Sequence, residues 1–306
     1  MGKSDTISKD LLQDNSYFAD TINNGLFNGK PVVNKDELVE LDSTELTVVK
    51  DEIKNFITVQ KYRDILKQAT IRKDDKAIYV ILGIENQTDI HYAMPVKNLF
   101  YDALRYARQV EVTRKKHKDD KMSKAEFLSG WSKTDKLMPV ITLTVYYGTD
   151  EWDGALKLHE MFDDDIDKDI LNLIPNYEVH LLNPNKITNW DSFESDIGIL
   201  FESISVSNQD GGITKMIESK PEKYRHVDNK IVEAINFYTK SNYPIEEGKE
   251  ETDMCYATKT SEVCAKIQVF VDLGKSLKET IEYILSKYDG ITEAYITEKY
   301  NSFSSK

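Results

Sequence analysis

The sequence predicts a mixed α/β fold, a sheet flanked by helices and followed by a helical C-terminal region. Three observations carry this expectation. Two apolar runs, residues 62–71 (YRDILKQATI) and 77–84 (AIYVILGI), are separated only by the charged stretch RKDDK, as in two strands joined by a short turn. A third run, PVITLTVYYG at 139–148, is β-branched and aromatic and is bounded by Pro139 and Gly148. After about residue 190 the hydrophobic period becomes helical.

Each element has a local reason. Residues 14–28 predict a helix capped by Asn15 or Ser16, with Phe18, Ile22 and Leu26 four apart on one face and Gly25 and Gly29 loosening its end. Leu38 and Leu41 anchor a short piece at 34–42. The run at 77–84 is almost continuously apolar, as in a central strand covered on both faces. A long helix over 94–116 starts near Pro95, with Phe100, Leu104 and Ala107 on one side. His117 to Asp135 is loop or weak helix. Strands follow at 139–148 and 178–183. Asp191–Glu194 and Ser276–Glu279 have capping-box spacing. Helices are expected near 192–205, 212–220, 228–241, 259–273 and 277–288, with Gly274 at a helix stop and 244–253 a linker or loop. The domain division follows the change of period, 1–190 against 191–306.

At 306 residues, 40% apolar and 30% charged, the chain has the composition of a globular protein. No apolar run approaches the ~20 residues a membrane span needs, and Met1–Asp10 lacks a signal-peptide core, so a cytoplasmic protein without membrane partners is expected. Cys255 and Cys264 are too few for a structural zinc site and fit reduced thiols. The net charge of −13 argues against a general nucleic-acid binder, but residues 97–136 hold eleven Lys or Arg against six acids. A solvated helix face is the plain alternative to a docking segment there.

The candidate chemistry lies at one end of the 62–84 pair. Asp64 begins one strand, Glu85 ends its partner, and Gln87, two residues on, projects to the same side as Glu85. Two carboxylates can hold Mg²⁺ or Mn²⁺, which keeps several waters. Such an ion lowers the pKa of a bound water and neutralises charge on a phosphate. Gln87 would orient water or phosphate through its amide. An acid followed some twenty residues later by E-x-Q is also the pattern of an ordinary polar strand end.

The wider context resembles a known family. Arg63-Asp64, Glu85-Asn86-Gln87-Thr88, Met94-Pro95-Val96-Lys97, and Tyr101 with Tyr106 are similar to the hallmarks of the recombination-promoting nuclease or putative transposase family, within the PD-(D/E)XK superfamily. PVITLTVYYG, the following EWDG and the early FADTIN look like the family as well. The resemblance covers about 14–200 and is strongest over 61–109. It implies a restriction-endonuclease-like sheet and a Mg²⁺- or Mn²⁺-dependent DNA endonuclease of low sequence specificity, linked to recombination or mobile elements. Asp64 and Glu85 would be the metal ligands, and Asp64, Glu85 and Gln87 the catalytic set. Asp20 is a candidate neighbour of the metal. Gln87 stands where most of the superfamily has lysine, and Lys97 where arginine is more usual. Lys97, Arg105, Arg108, Arg114, Lys115 and Lys116 are candidate DNA contacts, with Trp131 and Lys118 beside them. A homodimer is a candidate assembly. A nuclease-fold protein that binds or regulates without cutting, and a nuclease acting on RNA, are the alternatives.

Overall fold

Residues 3–42, 44–50, 56–62, 64–73, 76–117, 123–245 and 248–304 are described by the computed structural model. The chain divides into two compact units, Met1–Gly198 and Ile199–Lys306. The first opens with α1 (Lys3–Gln13) and α2 (Asn15–Phe27). α1 buries Ser8, Leu11 and Leu12. α2 is capped by Asp14, whose carboxylate accepts from the Ser16 and Tyr17 N–H groups. The cap is therefore one residue earlier than the sequence predicts. The chain then forms β1 (Val39–Glu40) and an antiparallel ribbon of β2 (Thr44–Lys50) and β3 (Phe56–Tyr62).

The predicted strand over 62–71 is broken by a bend at Asp64. Beyond it run β4 (Ile65–Lys73) and β5 (Lys76–Gln87), paired antiparallel from Ile65↔Ile84 to Lys73↔Lys76. α3 (Met94–Lys116) crosses over to β6 (Val140–Tyr146), which runs parallel to β5. Between them, α4 (Lys124–Ser129) turns part of the expected loop into a capped helix. After α5 (Lys168–Leu171), β7 (His180–Leu182) pairs parallel to β6. The sheet order is β1-β4-β5-β6-β7, a mixed α/β sheet with β5 at its centre. That position explains the unbroken burial of Val80–Glu85.

Helices cover both faces. On one, the Lys67 ammonium sits 4.9 Å over the Phe18 ring and donates to the Gln13 carbonyl and the Asn15 side chain, each at 2.6 Å. On that side a Cβ at Gly25 would lie 2.6 Å from Leu143, so α2 packs close to β6 because this residue has no side chain. On the other face α3 packs on β6: Tyr106 accepts from the Val140 N–H at 3.0 Å, and Asn98 and Asp102 bond Thr144 and Thr142.

The buried stripe of α3 is not the predicted Phe100–Leu104–Ala107 side. Met94, Asn98, Tyr101, Asp102 and Arg105 face inward, while Phe100 and Ala107 are exposed. Hydroxyls of the facing strand make the difference. Thr142 and Thr144 are fully buried, and they satisfy polar helix residues that an apolar strand would have excluded.

In the second unit, α6 (Ile197–Val206), α7 (Gly212–Ser219), α8 (Asn229–Thr239), α9 (Met254–Asp272), α10 (Leu277–Lys287) and α11 (Glu293–Ser304) are joined by a two-stranded ribbon, β8 (Val227–Asp228) with β9 (Glu251–Thr252). Val263, Ile267, Ile284, Ile291 and Ile296 form the core of its last three helices. Ser276 and Glu279 complete the expected capping box. Asp191–Glu194 does not start a helix. A 3-10 turn occupies Trp190–Ser192, and α6 begins at Ile197. Among the described residues no helix is long and apolar enough to cross a membrane.

Candidate metal and phosphate site

Strand register assembles the site. Ile65 pairs with Ile84, so Asp64, one residue before β4, comes level with Glu85. The Asn86 N–H donates to Asp64 Oδ2 at 2.8 Å, which ties the bend to the end of β5. Glu85 pairs in turn with Thr144 of β6. Both β5 and β6 end here, at the carboxyl edge of parallel strands, where open α/β sheets commonly bind ligands.

Glu85 is 2% exposed. A carboxylate so buried needs a compensating charge, and α3 supplies it. Lys97, in the first turn of that helix, places Nζ 3.0 Å from Glu85 Oε2. Gln87 is half-buried, and its Nε2 donates to the Asn86 carbonyl at 2.7 Å. Asp64, Glu85, Gln87 and Lys97 therefore gather at one end of the sheet.

Behind them runs a buried polar ladder that the sequence pattern did not reveal. Asn98 donates to Thr144 at 3.0 Å, next to Glu85 in register. The Thr142 and Tyr177 hydroxyls donate to the two oxygens of Asp102 at 2.6 and 2.7 Å. The signals were the T-x-T alternation at 142 and 144 and the four-residue step from Asn98 to Asp102. Both are visible only when the strand and helix are read together.

Other expected site residues lie elsewhere. Asp20 is on α2, across the sheet from Glu85. Its carboxylate accepts from the Glu194 and Ser195 N–H groups and the Ser195 hydroxyl, and Asn24 donates to it at 2.8 Å. Burial pushes its pKa up, opposed by those Ser195 and Glu194 bonds. Asp20 thus holds the turn before α6 and is no neighbour of Glu85, because α2 presents its packed side to the other face.

Arg105 is only 8% exposed and reaches the Asp42 carbonyl at 3.5 Å, so it is not on a docking surface. It sits on the stripe of α3 that Thr142 and Thr144 draw inward. Arg108 pairs with Asp42 at 3.3 Å. Arg114 and Lys115 are exposed and pair loosely with Glu111 at 3.9 and 3.6 Å. Lys116 is exposed, and Arg63 and Lys118 lie outside the described residues.

Among the described residues no three His, Cys, Asp or Glu side chains converge to hold a metal. The candidate donor set is two carboxylates, Asp64 and Glu85, level across a strand pair. Both are hard oxygen donors, and Mg²⁺ commonly takes one or two carboxylates and keeps water in its other positions. The Lys97 ammonium already stands where Glu85 calls for positive charge. The residues fit a hydrated divalent ion.

A family model described as "Putative transposase, YhgA-like" matches residues 3–224. No curated protein and no solved structure matches the chain.

Proposed function

Because the chain belongs to the YhgA-like family of transposase-type proteins, we propose that it is a metal-dependent endonuclease that hydrolyses DNA phosphodiester bonds with low sequence specificity, on a restriction-endonuclease-like sheet. The observation that carries the reading is the meeting of Asp64 and Glu85 in register, with Lys97 3.0 Å from Glu85. Asp64 and Glu85 would hold Mg²⁺ or Mn²⁺. Such an ion, when bound, offers an acidified water and neutralises phosphate charge. The Gln87 amide orients the water or a phosphate oxygen but cannot titrate. The positive charge that a lysine would bring at Gln87 comes instead from α3, through Lys97. Its ammonium sits at the rim, where the side chain is 26% exposed, and can turn to a phosphate once Glu85 is otherwise neutralised. Asn98 and Thr144 fix the helix against the strand that carries Glu85.

The same ion pair supports a second reading, a nuclease-fold protein in which Lys97 permanently takes the ion's place and DNA is bound without cutting. Nicking of supercoiled plasmid separates the two. Wild type in Mg²⁺ should nick, while EDTA or Glu85→Ala should abolish nicking. Equal nicking by wild type and Glu85→Ala would mean a contaminant or another site. No nicking by folded protein in Mg²⁺ or Mn²⁺ would favour the second reading. An RNA substrate run in parallel tests the choice of sugar.

A further inference from the structure

We infer that α4, held against the end of α3, is a platform for unpaired DNA bases, with Phe127 and Leu128 as the stacking surface and Arg114, Lys115 and Lys124 as phosphate contacts. The inference rests on the nucleic-acid reading above and names its substrate class.

Phe127 and Leu128 are 73% and 75% exposed, side by side on α4. Two neighbouring large apolar side chains in water are a candidate contact surface, and the helix that carries them is held in place by its surroundings. Ser123 and Glu126 close a capping box, and Gly130 ends the helix at φ 67°. Glu126 also accepts from the Ser132 hydroxyl at 3.1 Å and the Lys133 N–H at 3.2 Å. His117 Nε2 meets Asp135 at 2.9 Å, and Asp135 accepts from the Ser132 N–H at 2.7 Å. A Cβ on Gly130 would fall 2.4 Å from the Arg114 stem, so the end of α4 lies directly against the end of α3. Between them is a cavity of about 530 Å³ lined by Arg114, Lys115, His117, Phe127 and Leu128, with Glu111 beside the two cations.

Charge selects the occupant. The described residues around the cavity, 111–117 and 123–136, hold six Lys or Arg against three acids, inside a chain of net charge −13. A second copy of so acidic a protein would meet this patch with its own basic segment or with scattered acids, whereas a polyanion meets its excess of positive charge. Exposed aromatic and aliphatic groups across a cavity from two cations suit base faces beside phosphates. In an intact duplex those faces are covered and reaching them requires unstacking, so a single strand or an unpaired stretch is the fitting form. Arg114 lies seventeen residues beyond Lys97 on α3, roughly 25 Å of helix or about seven base pairs of duplex rise. A strand engaged at both ends of α3 must span that length.

The test is fluorescence anisotropy of labelled oligonucleotides with the full chain in EDTA, so that binding is read without cleavage. Wild type should bind a 20-nucleotide oligo-dT more tightly than a blunt duplex of the same length. Phe127→Ala with Leu128→Ala should weaken single-strand binding about tenfold and leave duplex binding nearly unchanged, while Phe127→Trp should keep it. Lys115→Ala with Lys124→Ala should flatten the salt dependence by about 0.7 in log–log slope for each phosphate no longer neutralised. Wild-type affinity in the double-alanine variant overturns the inference. So does a wild type that binds neither oligonucleotide. A wild-type dimer that the variant converts to monomer in sedimentation, with DNA binding intact, reassigns the patch to a second copy. Failure of nicking with the binding pattern intact would remove the catalytic reading and leave the platform standing.

Discussion

Removing Lys97 tests the charge balance at the site. In Lys97→Met the Glu85 carboxylate, with a side chain only 3% exposed, loses the ammonium 3.0 Å away. Breaking a fully buried ion pair from one side costs about 3–5 kcal/mol. Lys97 is a quarter exposed, so water can partly replace it and the expected loss is about 2 kcal/mol. For a unit of this size that is roughly 4–8 °C in melting temperature. Glu85→Gln with Lys97→Met removes both charges and should recover more than half of the deficit, a coupling of at least about 1 kcal/mol in a double-mutant cycle. The assay is urea unfolding of the four proteins in EDTA. Additive losses within about 0.5 kcal/mol would refute the reasoning, since the two charges would then not depend on one another. Repeating the series with Mn²⁺ extends it. Under the nuclease reading Mn²⁺ should restore Lys97→Met, by about 2.7 kcal/mol at a hundredfold excess over Kd, and should leave Glu85→Gln with Lys97→Met unchanged.

Two further outcomes follow from titratable groups. The Glu126 carboxyl is held down to about 2, first by the Ser123 hydroxyl and then by the Ser123 and Lys133 N–H groups and the Ser132 hydroxyl. A lowered folded-state pKa means that its stabilisation is present above about 4.5 and lost as pH falls from there towards 2. Trp131 fluorescence should report loosening of the 123–135 segment in that window, and Glu126→Gln should flatten the response. Burial lowers the Lys67 pKa, opposed by Glu40 and Asp14. The unfolded chain then holds the proton more tightly, so wild-type stability should rise with pH through the alkaline range up to about 10.5. Lys67→Met should lack that rise. At neutral pH it should be less stable by about 1–3 kcal/mol, because the Gln13 carbonyl and the Asn15 side-chain oxygen lose their donor. Denaturation at pH 7 and near pH 10 measures both effects.

The apolar runs and the long helical pattern located β4, β5, α3 and β6 to within a few residues, because those elements are long and their packing follows local hydrophobicity. Hairpin reasoning also brought Asp64 towards Glu85, since one short turn fixes the register between them. α1, α4 and α11 were not legible. α11 carries little apolar periodicity, α1 rests on the single four-residue step from Ile7 to Leu11, and α4 is held by its capping box and by bonds from Ser132 and Lys133.

The sequence by itself determined the sheet's central strands and the two acids that face each other across them, because apolar runs and a short turn are local properties. Tertiary structure alone decided which charge answers Glu85, which arginine is buried and which side of the sheet Asp20 occupies. Lys97 reaches Glu85, and Arg105 turns inward, only because the β5–α3–β6 crossover lays the helix on Thr142 and Thr144. Asp20 faces away because α2 packs on the side where glycine at position 25 permits close approach to Leu143. These are contacts between segments far apart in the chain, and no pattern within either segment encodes its partner.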